Sequence, residues 1–260
     1  LAITTGFITG TGFYTLPNIK DARVEKVSTP FGEVDVELGW LGGQEIAFIA
    51  RHGKQHTIAP SLINYRANLY AMYSLGVERI LATSVTGSLV PRWGPGTLIL
   101  IDQFINFTND RAGSIYPLDG KLAHVNMTDP YCPTLHKHLM ASAQDMGLNL
   151  QLGATYACFS GPRFETRAEI ELVRRLGGHL VGQTNYPECV FARELAMCYA
   201  TIGVVSNLAA GMQAELTATE VSENLKGLGN TISTLFEKVA LGLPDQYDCA
   251  CRHALDEAFL

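Results

Sequence analysis

Long apolar runs are missing from this chain: none reaches the about eighteen residues that a bilayer-spanning helix requires. The first residues also lack the basic start and small-residue cleavage pattern of a signal peptide, so the expected compartment is the cytoplasm. There is no basic excess. A net charge of −6 and a pI near 5.6 argue against a protein built to hold a nucleic acid, while leaving room for a local pocket that takes one phosphate. Zinc-like cysteine spacing is absent too. The six cysteines are scattered, which fits buried thiols better than a disulfide framework; Cys249 and Cys251 stand apart as a Cys-Ala-Cys pair, either redox active, bridging to another thiol, or incidental. His52 and His56 have the spacing of a helical metal pair, but Gly53 and Pro60 disfavour a helix there and no acidic ligand lies nearby, so no metal is expected.

What the chain does have is apolar character. With 47% hydrophobic residues and only 17% charged, it predicts a large core, or surface hidden in an oligomer. No shift in composition marks a boundary, so one domain is expected over residues 1–241, followed by a tail over 242–260 that holds at most a short helix. Apolar runs at Ile3 to Ile8, Val34 to Leu38, Glu45 to Ala50, Arg79 to Thr83, Gly96 to Ile101, Tyr156 to Phe159 and Cys198 to Ser206 read as strands, with Gly42 and Gly43 as a hairpin turn. Helical patterns run from Pro60 to Leu75, Pro133 to Met146, Thr166 to about Arg175, from Pro187 onwards, and from Thr217 to about Leu241. Strands alternating with helices predict an α/β domain with a mostly parallel sheet between helical layers, and ligands then belong at the strand ends.

Those strand ends carry the chemistry. Thr9 to Gly12 is a small-residue turn able to surround an anion. Arg51 to His56 (RHGKQH) is the densest cationic group in the chain, and Thr83 to Ser88 (TSVTGS) is expected to form a second small-hydroxyl loop at a strand end. Three further segments, GPRFETRAE from Gly161, GQTNYPE from Gly182 and VVSNLAAG from Val204, each follow a short apolar run and are expected to share one pocket. The stretch from Asp102 to Asp129 is long, polar and aromatic, and suits a lid or a subunit contact.

The ordered set TGTGFY, RHGKQHTIAPSLINYRANLYA, TSVTGSL, GTLILIDQFINFT, GPRFETRAE, TNYPE and ARELAMCYATIGVVSN resembles the trimeric purine nucleoside phosphorylase and methylthioadenosine phosphorylase family up to about Leu241. The resemblance implies a homotrimer, or a dimer of trimers, that cleaves a purine nucleoside with inorganic phosphate as co-substrate and no metal or organic cofactor. It places phosphate on Thr11, Arg51, His52, Ser84 and Thr184, with His56 as a further member. It places the base on Phe164, Glu165 and Asn207, with Asn207 as the catalytic leaving-group residue. Glu165, and the absence of aspartate at Asn207 and Ala209, imply a 6-oxopurine, because a carboxylate accepts the N1 hydrogen of that base and repels the lone pair of adenine. Gln183, where the family has methionine, would face the ribose. Ala218, where inosine and guanosine enzymes carry histidine, would leave the 5' end apolar, and His124 would reach a neighbouring subunit's 5' pocket. Methylthioinosine or inosine/guanosine is the expected substrate; the alternatives are methylthioadenosine and, with catalysis lost, a nucleoside-binding protein.

Overall fold

The computed structural model describes residues 3–118, 120–214, 216–244 and 248–259. Nine strands form one sheet in the order β2-β3-β4-β1-β5-β8-β7-β6-β9, and β5 also pairs with β9. That extra pairing closes β5 (Arg79–Ser88), β8 (Leu180–Gly182), β7 (Leu150–Cys158), β6 (Leu98–Asn106) and β9 (Cys198–Leu208) into a barrel-like ring. From the ring, β1 (Thr5–Thr9), β4 (Gln44–Ala50), β3 (Gly32–Leu41) and β2 (Lys20–Thr29) extend outward. The pairings of β1 with β4 and β5, of β5 with β9, and of β7 with β6 and β8 are parallel. The outer strands and the pairs β5–β8 and β6–β9 are antiparallel.

Burial explains where each strand sits. β1 and β5 are buried almost throughout, and β9 is buried from Cys198 to Asn207, as strands covered on both faces must be. β2 is exposed along nearly its whole length, which is why its sequence gives no apolar signal. Gly42 and Gly43 both take positive φ, and the register Leu41↔Gln44 confirms the two-residue hairpin. The segment TSVTGS is a continuation of β5 rather than a loop, since Thr86, Gly87 and Ser88 stay paired with β9 across a register shift between Thr86 and Gly87.

Helices cover the sheet. α1 (Tyr65–Ser74) is shorter than expected, because Asn64 caps it through the Ala67 N–H and the chain from Pro60 to Leu62 forms only a 3-10 turn. α2 (Pro133–Asp145) packs against α6 (Leu228–Gly242). α3 (Arg167–Arg175) begins with the expected capping box between Thr166 and Glu169. α4 (Asn185–Glu194) becomes regular only at Pro187, because Tyr186 is extended. The single helix expected from Thr217 to Leu241 is divided: α5 (Ala218–Asn224) ends, Gly227 takes φ +85°, and α6 starts afresh. Among the described residues no helix is long and apolar enough to cross a membrane. The tail returns to the body through a 3-10 turn at Ala250–His253.

Candidate active site

A pocket of about 880 Å³, counted out to its open mouth, lies where the ends of β1, β4, β5, β8 and β9 converge. Its lining includes Thr11, Arg51, His52, His56, Phe164, Glu165, Gln183, Thr184 and Asn207. The strand-end segments singled out in the sequence therefore do share one cavity.

Its floor is an ion pair. Arg51 follows β4 and is 3% exposed; Glu188, in α4, is fully buried. The guanidinium donates to both carboxylate oxygens, from Nε at 3.0 Å and Nη2 at 2.7 Å, to the Thr83 carbonyl at 2.6 Å and to the Ile8 carbonyl at 3.2 Å. Tyr199 donates to the same carboxylate at 2.6 Å and accepts from Thr201 at 2.8 Å. These bonds occupy four of the about five N–H groups that a guanidinium offers. A Cβ placed on Gly10 would lie 2.9 Å from Nη1, so only glycine lets the β1 turn come this close. Burial opposes the charge on Arg51, but Glu188 outweighs it and holds the guanidinium above its ordinary pKa.

His52 behaves differently. Its Nδ1 donates to the Ile58 carbonyl at 2.8 Å. Burial, aided by the charge of Arg51, lowers its pKa to about 4 against the Ile58 bond, so the ring is neutral near pH 7 with Nε2 free to accept a hydrogen bond from a ligand. His56 lies with its ring 4.5 Å from that of His52, is lowered by burial as well, and is held by Tyr14 at 3.1 Å. Thr9 donates to the Phe13 carbonyl, which closes the turn that presents Thr11.

Ser84 is placed behind the lining rather than in it. Its hydroxyl donates to Tyr156 at 3.1 Å and lies 3.3 Å from the Thr184 hydroxyl, while Tyr156 also accepts from the Thr184 N–H at 3.2 Å. Thr184 caps no helix with its side chain, which leaves the hydroxyl available. Farther along β5, Thr86 lines the pocket with a buried hydroxyl that has no hydrogen-bond partner. Tyr156 gives no signal in the sequence because it looks like a core aromatic, and Thr86 stands out there only as part of TSVTGS, with the phosphate assigned to Ser84 instead.

At the opposite end, Asn207 accepts from Ser206 at 2.6 Å and donates to the Leu208 carbonyl at 2.8 Å, leaving one amide hydrogen and one lone pair unused. Glu165 is 9% exposed, and its Oε1 has no hydrogen-bond partner. Burial pushes its carboxyl pKa up, against the hydrogen bonds it accepts from its own backbone and from Gln183. Phe164 stands at the mouth, 42% exposed. Gln183 satisfies its own amide by donating to the Arg163 carbonyl at 3.0 Å, so its polar group is tied to the base loop. Ala218 lies outside the lining. It opens α5 and is exposed, whereas its neighbours Leu216 and Val221 are among the lining residues. His124 is also outside the lining, exposed beside the tail, where its N–H donates to the Ala258 carbonyl at 2.7 Å.

Residues 4–240 match the family model described as the phosphorylase superfamily. The chain is 46% identical over 256 residues, 96% of either chain, to the 6-oxopurine nucleoside phosphorylase of Pyrococcus furiosus. It is 42% identical to the probable S-methyl-5'-thioinosine phosphorylase of Methanopyrus kandleri, covering 97% of this chain and 98% of the other. The crystal structure of a methylthioadenosine phosphorylase sourced from an antarctic soil metagenomic library superposes with a TM-score of 0.89 at 34% identity, covering 100% of this chain and 93% of that one.

The floor gives a direct test. Glu188→Ala strands a buried guanidinium, and urea unfolding should show a loss of about 3–5 kcal/mol. A midpoint equal to that of the parent chain would mean that the pair does not organise the floor.

Proposed function

The chain belongs to the phosphorylase superfamily, and from that premise we propose that it cleaves a 6-oxopurine nucleoside with inorganic phosphate, releasing the free base and a ribose 1-phosphate. The observation that carries the base assignment is Glu165, whose buried Oε1 lacks a donor that the N1–H of hypoxanthine or guanine supplies.

The remaining geometry fits the same reaction. Phosphate lies against the free Arg51 N–H, the neutral His52, and the hydroxyls of Thr11 and Thr184, with His56 at the rim and Ser84 orienting Thr184. Because Glu188 cancels the formal charge of Arg51, the phosphate keeps its own negative charge to face the oxocarbenium-like sugar. A phosphate oxygen bonds to the anomeric carbon as the bond to N9 breaks. The electron pair passes into the purine, and the unused Asn207 amide hydrogen stabilises it at N7. Inorganic phosphate is the co-substrate of this displacement.

Leu216 and Val221 are apolar members of the lining near the start of α5, and set at the 5' end of the nucleoside they favour an apolar substituent such as methylthio over a hydroxyl. Methylthioinosine is therefore the preferred member of the substrate class. The homotrimer expected from the resemblance belongs to the same proposal, with the exposed His124 available to a neighbouring copy.

Base release from methylthioinosine, inosine and methylthioadenosine, each with phosphate, tests this reading. The 6-oxopurines should be preferred, and Glu165→Gln should narrow that preference about tenfold or more, since its amide offers adenine N1 a donor. Asn207→Ala should lower turnover more than substrate affinity. Methylthioadenosine as the best substrate of the unaltered chain would remove the Glu165 argument, and unchanged turnover in Asn207→Ala would remove the leaving-group role. Light scattering should give the mass of a trimer; a monomer's mass at micromolar concentration would exclude the shared 5' pocket.

A further inference from the structure

Four cysteines that lie far apart in the sequence meet at one point in the fold. Cys132 is the N-cap of α2, Cys198 begins β9, and Cys249 and Cys251 flank the first residue of the tail turn. All four are buried, and their sulfur atoms lie within 4.8 Å of one another. Cys132 Sγ and Cys249 Sγ are 3.4 Å apart. The scattered spacing that argued against a metal site in the sequence is overcome by topology, because the tail carries its Cys-Ala-Cys back to the start of a helix and the start of a strand.

We propose that Cys132, Cys198, Cys249 and Cys251 form a tetrathiolate site for one soft divalent metal ion of the zinc class, which fastens the tail to the body of the protein. A tetrahedral ion with metal–sulfur bonds of about 2.3 Å separates its sulfurs by about 3.8 Å, which small side-chain adjustments reach from the observed cluster. A disulfide needs only two close sulfurs, whereas here all four are mutually close. Closing Cys249 onto Cys251 alone would require a small ring across one intervening residue. A metal ion is bound by such a pair without joining the sulfurs.

The surroundings favour thiolates at this point. The Leu135 N–H, in the first turn of α2, points at Cys132 Sγ at 3.5 Å, so the positive end of the helix faces the cluster. Binding releases the thiol protons to solvent and changes no oxidation state. The ion would act on the tail, whose continuation pairs with the segment at Ala123 and receives the His124 N–H, residues outside the pocket lining.

Cobalt(II) added to the reduced full chain tests the site. About one equivalent should bind per chain, with thiolate-to-cobalt charge-transfer bands and intense tetrahedral d–d bands that zinc abolishes. The Cys249→Ser/Cys251→Ser double variant should lose both bands and Cys189→Ser should keep them; elemental analysis of the protein as isolated should follow the same order. Should the double variant fail to fold, the spectrum of the unaltered chain decides alone. Absent cobalt bands with all four thiols open to alkylation after denaturation would overturn the proposal in favour of simple packing. A denatured, unreduced mass short of two hydrogens per bridge, with no bound metal, would overturn it in favour of disulfides.

Discussion

The buried pair of Arg51 and Glu188 ties the end of β4 to α4, and its additional bonds reach β1 at Ile8, β5 at Thr83 and β9 through Tyr199. One charged contact thus holds four strands and a helix in register beneath the pocket. Such a pair adds little net stability compared with apolar packing, but removing one partner is costly, so its role is to fix geometry. The turn after β1 depends on it. Gly10 leaves room for the guanidinium and Thr11 follows directly.

The same pair sets the electrical character of the site. A free arginine beside two charged histidines would draw in an anion and blunt it. Here the arginine is internally neutralised, and His52 is kept neutral by burial. In the proposed reading, hydroxyls and single N–H groups hold the phosphate by direction more than by net charge. That suits a nucleophile which must also stabilise a cationic sugar. At the far end lie an unpaired carboxylate oxygen on Glu165 and an amide with unused capacity on Asn207, the two groups proposed to meet the base. The Gln183 amide, tied to Arg163, braces the loop that carries Glu165.

Much of this was legible because strand ends speak through short motifs. The apolar run of β9, the glycine pair between β3 and β4 and the capping box of α3 each have a local cause that the structure repeats. What escaped the sequence depended on contacts made at a distance. β2 pairs only with β3 and shows no apolar face. The ring closes through β5 and β9, which no local pattern announces. Tyr156 earns its place only once Ser84 and Thr184 are seen around its hydroxyl. Ala218 was set at the 5' end by position alone, whereas the break at Gly227 and the exposed start of α5 leave Leu216 and Val221 among the lining residues. The four-cysteine cluster is the extreme case, assembled from three separate parts of the chain.

The central claim is that this floor holds phosphate as the attacking group. Base release from inosine followed across a range of phosphate concentrations, with the sugar product identified, tests it most directly. The account predicts release that saturates with phosphate and yields one ribose 1-phosphate for each base. Release at the same rate without phosphate, giving free ribose, would contradict it.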